Sequence, residues 1–163
     1  METYPPDISE LKYLINVRIL QAFLKQSIIS STGFKEIECV VTEGPISKST
    51  SKQKISNNPI WNEPVNFVFT FNPGTFFKIS IVVSTPKNKN KKVIAHGITS
   101  FKWPLTVTEW VIVPLYTQVV SGITEEQHVG SIELQVVCKK SFCDENEINS
   151  YDYSHACRIN IKV

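Results

Sequence analysis

The hexapeptide NPIWNE at residues 58–63 constrains the fold more than any other stretch of this chain. Pro59 cannot donate a backbone hydrogen bond inside a strand, and its ring restricts the preceding residue to an extended conformation. Trp61 brings a large apolar side chain that is most stable in a core. The two polar residues that follow can hydrogen-bond the backbone of a tight corner. We therefore predict a corner at residues 58–63, followed by a strand at 65–71.

Period-two alternation of apolar and polar residues recurs along the chain from Leu11 onward. In the first such segment, Ile15, Val17 and Ile19 form the apolar set and are predicted to face inward. Pro and Gly clusters separate the segments, and no convincing amphipathic helix is present. The pattern predicts an all-β fold, an eight-stranded antiparallel β-sandwich. The other predicted strands lie at 37–42, 52–55, 65–71, 77–84, 94–102, 111–115 and 131–138.

The composition fits one domain. The chain has 163 residues, 42% of them hydrophobic and 20% charged, which supports a packed core and argues against global disorder. We divide it into a flexible lead at 1–10, a β-sandwich at 11–138 and a C-terminal extension at 139–163. An extra edge strand is one interpretation of the extension, and the sequence leaves it open. No segment reaches the roughly 18 apolar residues of a membrane span. Since residues 1–10 do not resemble a secretory signal either, we expect a cytoplasmic protein.

The sequence offers little catalytic or metal-binding chemistry. Its four cysteines lack the repeated short spacing of a zinc site, so we expect free thiols, with Cys39 and Cys138 packing as small hydrophobic residues. The three histidines are scattered, and no glycine-rich phosphate loop occurs. We expect no enzymatic activity and no cofactor or metal ion. Nucleic acid is not an expected partner, because the basic segments lack interleaved aromatic side chains.

The hexapeptide, placed before an aromatic strand, resembles the mid-domain signature of C2 domains, which are calcium- and lipid-binding β-sandwich modules. Five further segments, at 14–22, 77–83, 95–98, 110–115 and 130–137, resemble other marks of that family in the same order. The resemblance covers roughly residues 11–138. The order of the last strands resembles the second of the family's two circularly permuted topologies. That topology implies that the termini emerge at the end opposite the three ligand-binding loops.

The resemblance implies a calcium site, but this sequence lacks most of the acidic residues that such a site requires. Calcium takes 6–8 oxygen ligands, several of them anionic, and C2 domains that bind it supply carboxylates from the first and third loops. Here the first loop, at 25–35, contains no Asp or Glu, and the nearest acid is Glu36. In the third loop, at 84–92, Thr85 and Lys87 stand where the resemblance implies two aspartates. We therefore expect a calcium-independent module.

The third loop carries the densest basic cluster of the chain. Its members are Lys87, Lys89, Lys91 and Lys92. Near an acidic leaflet each lysine contributes about 1 kcal/mol, so the cluster predicts weak, salt-sensitive binding to anionic phospholipid. Firm attachment needs a second element. Ile28, Ile29 and Phe34 of the first loop are predicted to supply it by inserting beside the lysines.

A second basic cluster consists of Lys48, Lys52 and Lys54. Lys52 and Lys54 are predicted to project from one strand face, with Lys35 as a candidate neighbour. This pair resembles the lysine-rich concave face that some C2 domains use for phosphoinositides. For both clusters, an ordinary solvated surface is the alternative. The sequence therefore predicts a peripheral module that tethers a protein to anionic membranes. The competing hypothesis is a protein-interaction or scaffolding C2-like domain without lipid binding, for which a partner strand at 159–161 would be a sign.

Overall fold

The computed structural model describes residues 12–30, 33–69, 76–86, 90–100, 108–117 and 126–141. Within these ranges the chain forms nine strands and one short helix. No helix among them has the length and apolar character needed to cross a membrane. The strands are β1 (Lys12–Leu24), β2 (Glu36–Glu43), β3 (Ile46–Ser49), β4 (Gln53–Lys54), β5 (Ile60–Phe69), β6 (Phe76–Ser84), β7 (Lys91–Ser100), β8 (Glu109–Tyr116) and β9 (His128–Ser141), and the helix is α1 (Gln26–Ser30).

All the strand pairs are antiparallel, and the strand order is β3-β2-β6-β7-β8-β9-β1-β5, with β4 attached to β2. In the described residues β7 and β8 pair at one position, His96 with Tyr116. This thin connection divides the path into a first sheet, β3-β2-β6-β7, and a second sheet, β8-β9-β1-β5. The two sheets pack face to face, which is the architecture of a β-sandwich. The predicted all-β antiparallel sandwich is confirmed.

The core lies between the two sheets and follows the period-two pattern. Ile15, Val17 and Ile19 of β1 are completely buried, which confirms the predicted inward face. The rings of Phe67 on β5 and Phe77 on β6 meet edge to face, with centroids 5.5 Å apart, so the second sheet contacts the first directly. Aromatic pairs in this geometry stabilise a core beyond their buried area.

Two elements were not predicted. β3 escaped prediction because three of its four residues are exposed and its sequence, ISKS, shows no clear apolar alternation. α1 has five residues, which is too short to produce a helical periodicity in the sequence. The structure therefore contains one strand more than the eight predicted. β9 also continues to Ser141, three residues past the predicted end of the sandwich. The predicted lead at 1–10 and residues 142–163 of the extension lie outside the described residues.

The predicted corner at 58–63 is wrong, because β5 begins at Ile60 and includes the last four residues of the hexapeptide. Ile19 pairs with Glu63 and Gln21 with Ile60, so the register between β1 and β5 shifts there, with an extra residue on β5. This arrangement is a β-bulge. Asn62 occupies the bulge with a φ of 50°, a left-handed conformation that asparagine tolerates better than most residues.

The loops that matter for function share one end of the sandwich. At one end of the sandwich, Leu24 at the end of β1 lies opposite Gly130 near the start of β9. At the other end, Lys12 at the start of β1 lies opposite Ser141 at the end of β9. The antiparallel pairing places the described parts of three connections at the Leu24 end, which we call the loop end. These parts are residues 25–30 and 33–35, residues 55–59, and residues 85, 86 and 90. The described start of β1 and end of β9 lie opposite, as the resemblance implied.

Candidate functional site

One register row crosses the first sheet at the loop end and brings separate lysines into line. Lys54 on β4 lies opposite Glu36 on β2, which lies opposite Ser84 on β6, which in turn lies opposite Lys91 on β7. With about 4.8 Å between neighbouring strands, the backbones of Lys54 and Lys91 are about 14 Å apart. Lys54 on β4 and Lys91 on β7 therefore belong to the same end of the molecule.

Two more lysines join this end. Lys35 was a candidate neighbour of Lys52 and Lys54 in the sequence, whereas Lys25 was not predicted. The Lys35 carbonyl accepts a hydrogen bond of 2.9 Å from the Ile55 N–H, directly beside Lys54. The Lys25 N–H donates a 2.8 Å hydrogen bond to the Val129 carbonyl at the end of the second sheet. The signal that could have revealed Lys25 is its position directly after β1, just as Lys35 directly precedes β2.

We call the exposed lysines of this region the loop-end lysines: Lys25, Lys35, Lys52, Lys54, Lys91 and Lys92. Of the predicted third-loop cluster, Lys87 and Lys89 lie outside the described residues. The register row from Lys54 to Lys91 also contains the half-buried Glu36. Since the row holds two lysines and one glutamate, its net charge is positive. Among the described residues, no three His, Cys, Asp or Glu side chains are grouped closely enough to hold a metal ion.

Among the described residues, Lys91 is the loop-end lysine with an acidic partner in salt-bridge contact. Its Nζ lies 3.4 Å from Glu38 Oε1, and the Glu38 residue is only 5% exposed. A carboxylate that has lost most of its water needs a nearby cation or hydrogen-bond donor. Lys91 therefore supports the fold through Glu38, and its charge is partly neutralised before any ligand arrives.

The apolar side chains of the first loop point mainly into the protein. Ile29, on α1, is 8% exposed and belongs to the core cluster. Ile28 and Phe34 are half-buried and pack against the same core. These contacts stabilise the first loop on the sandwich. Because the Ile29 side chain is buried, it has no exposed apolar surface that could insert into a bilayer. We therefore do not include Ile29 in a contact surface.

The described thiols are buried and free, as predicted. Burial raises the pKa of Cys39, and the nearby Glu38 carboxylate adds to the rise. Burial, with a smaller contribution from Glu109, raises the pKa of Cys138 to about 12. Since the thiolate is the reactive form of cysteine, neither side chain suits nucleophilic or metal-binding chemistry. Cys143 and Cys157 lie outside the described residues.

No protein-family model and no curated protein matches the chain. Solved structures do match. The first C2 domain, domain A, of a plant extended synaptotagmin 1 is 16% identical, with a TM-score of 0.60 over 78% of this chain and 95% of that one. A C2 domain-containing protein from a putative elicitor-responsive gene is 12% identical, with a TM-score of 0.56 over 78% and 89% of the two chains. The paired C2 domains, A and B, of extended synaptotagmin 2 are 15% identical, with a TM-score of 0.55 over 85% of this chain and 43% of that one. This chain has the fold of a C2 domain.

Proposed function

We propose that this C2-fold module binds reversibly to anionic membrane surfaces through its loop-end lysines, and that it does so without calcium. The observation that carries the proposal is the convergence of lysines from in and beside β1, β2, β4 and β7 on one end of the sandwich. The role is one of binding rather than catalysis. The solved C2 domains with this fold include those of two extended synaptotagmins.

The expected strength follows from the number of available charges. Without Lys91, five loop-end lysines remain, and at about 1 kcal/mol each they supply about 5 kcal/mol near an acidic leaflet. That corresponds to a dissociation constant somewhat below 1 mM. Salt screens such contacts, because the Debye length is only about 8 Å at physiological ionic strength.

Calcium independence is supported by the chemistry of the loops. Residues 25–35 contain no carboxylate, and the lysines in and beside the third loop repel a divalent cation. Calcium needs several anionic oxygens to replace its water. Calcium should therefore change neither the vesicle affinity nor the melting temperature of the protein.

The test is co-sedimentation with phosphatidylcholine vesicles that contain or lack phosphatidylserine, at low and physiological salt, with calcium or a chelator. We expect binding that requires phosphatidylserine, weakens with salt and ignores calcium. Replacing Lys54 and Lys92 with alanine should remove about 2 kcal/mol, a loss of about 30-fold in affinity. The charge-matched control replaces Lys48 and Lys78, which are exposed but lie toward the opposite end of the first sheet.

Two results would contradict the proposal. Absence of phosphatidylserine-dependent binding at low salt would remove the membrane function. Equal losses in the two double variants would mean that only the overall charge matters, and that the loop end is not a site. Stronger binding in calcium would refute calcium independence alone.

A second candidate is docking of a protein partner, and one observation favours it. Trp110 and Ile112, which share a face of β8, are 64% and 68% exposed. Large exposed apolar side chains of this kind occur at protein interfaces. The predicted partner strand at 159–161 lies outside the described residues. Binding to neither vesicle type, together with a defined protein complex that Trp110→Ser abolishes, would favour this candidate.

A further inference from the structure

We infer that Phe23 and Ile60 form an apolar pair that inserts into the bilayer while the loop-end lysines contact the lipid headgroups. The inference rests on the proposed membrane function and names its second, hydrophobic element. Phe23 is 44% exposed and Ile60 is 61% exposed. Neither residue belongs to the first-loop set predicted for this role.

The backbone pairing of β1 with β5 brings the two side chains together. Gln21 lies opposite Ile60, and the N–H groups of Ala22 and Leu24 donate to the carbonyls of Pro59 and Asn57 at 3.1 Å and 2.8 Å. Antiparallel pairing therefore continues to the loop end and sets Phe23 opposite Asn58. Phe23 and Ile60 are therefore diagonal neighbours across the two strands. The Cα atoms of such neighbours are about 7–8 Å apart, a distance that large side chains can bridge.

Both side chains project from the outer surface of the second sheet. Ala22 and Leu24, the neighbours of Phe23, are buried in the core, so Phe23 points the other way. Ile60 shares the face of Gln21, its direct partner. The Asn58 amide donates a 2.8 Å hydrogen bond to the Ala22 carbonyl, which holds the two chain segments in this register. The pair is thus presented by a hydrogen-bonded sheet rather than by a loop tip.

The position of the pair identifies a bilayer as its occupant. Lys25 is two residues from Phe23, and the segment that leads into Ile60 begins just after Lys54. Apolar side chains at the same end of a domain as several cations complement the boundary between acyl chains and anionic headgroups. An uncharged protein surface would satisfy the apolar pair but leave these lysines without partners.

The inference predicts a component of binding that salt does not remove. Lysine contacts weaken as ionic strength rises, whereas burial of apolar surface does not. Replacing both Phe23 and Ile60 with serine should lower vesicle affinity about tenfold or more. It should also abolish the binding that remains at high salt. The loss of Lys54 and Lys92 should instead act mainly at low salt.

The chain supplies a matched control in Phe76 and Ile98. They are 68% and 64% exposed, and Phe76 pairs with Ser100 while Ile98 pairs with Lys78, so they too are diagonal neighbours. Phe76 lies at the end opposite the loops. Replacing this pair with serine should change vesicle affinity less than about twofold, since it removes at least as much exposed apolar surface but far from the loop-end lysines.

A second measurement does not depend on the stability of the serine variants. Phe23→Trp should show a blue-shifted emission on vesicles and quenching by brominated lipid, beyond the signal of the native tryptophans. Phe76→Trp should show neither. If the native protein fails to bind vesicles at all, the proposed function falls, and this inference falls with it. If it binds through Lys54 and Lys92 but Phe23→Trp stays unquenched and both serine pairs behave alike, only the apolar insertion is refuted.

Discussion

Replacing Lys91 tests whether the third-loop cluster also stabilises the fold. The perturbation is Lys91→Met, which removes the ammonium group but keeps most of the apolar stem. In the native protein that ammonium lies 3.4 Å from the Glu38 carboxylate, whose side chain is 7% exposed. The substitution leaves Glu38 buried in the sheet surface without its cation.

The size of the effect follows from distance and exposure. Two unit charges at this distance attract by about 5 kcal/mol at an effective dielectric constant of about 20, and by about 1.2 kcal/mol in bulk water. The Lys91 side chain is 56% exposed, so solvent screens much of the attraction. Exposed pairs contribute about 0–1 kcal/mol, and breaking a fully buried pair costs about 3–5 kcal/mol. We expect Lys91→Met to lower the free energy of unfolding by about 1.5 kcal/mol, or the melting temperature by about 3–6 °C.

The assay is urea unfolding of a double-mutant cycle made of Lys91→Met, Glu38→Gln and the combined variant. Glutamine keeps the shape of glutamate and removes the charge that needs a partner. Lys91→Met should therefore cost less than about 0.5 kcal/mol in the Glu38→Gln background. An equal cost in both backgrounds would show that the two side chains do not interact energetically, and the structural role assigned to Lys91 would be wrong.

Two further predictions concern packing and burial. A Cβ at Gly97 would lie 2.6 Å from the Pro114 carbonyl oxygen and 2.8 Å from Val113, so Gly97→Ala should destabilise the protein by about 1–3 kcal/mol in urea unfolding. A Cβ at Gly44 would meet no atom within 4 Å, but the φ of +56° is unfavourable for alanine, so Gly44→Ala should cost only about 1 kcal/mol. Equal losses in the two variants would contradict the steric explanation for Gly97. Cys39 and Cys138 should resist alkylation in the native protein and react after unfolding, as measured by mass spectrometry of labelled peptides. Rapid native labelling of either would show that the sandwich opens there.

Sequence patterns predict what is local in the chain. The inward face of β1 could be predicted because alternation assigns each side chain to one side of a strand. Glu38 could not be recognised as buried, because its shielding depends on the neighbouring strand and on Lys91, 53 residues away in sequence. The bulge at Asn62 also escaped prediction, because it depends on the register between β1 and β5.

The candidate site was partly predictable for the same reason. The lysine clusters are visible in the sequence, but their meeting with Lys25 and Lys35 at one end follows from strand order. Ile29 was expected to be exposed because a loop with apolar residues resembles an insertion element. In the structure α1 turns that side chain into the core. The exposed apolar pair instead forms where β1, which lies inside the second sheet, pairs with the edge strand β5. Neither segment of the sequence shows this pairing by itself.

The hexapeptide connects the fold to the proposed function. The Asn58 side chain donates to the Ala22 carbonyl and to Gln21, and so sets the register that puts Phe23 beside Ile60. The Glu63 carboxylate accepts the Ser51 N–H at 3.1 Å, which ties the segment leading into Lys52 and Lys54 to the edge of the second sheet. The apolar pair and the lysines in and beside β4, Lys52 and Lys54, therefore depend on the same six residues for their positions. A substitution such as Asn58→Ala should move the apolar pair without changing any charge, so its effect on membrane binding would be a consequence of geometry.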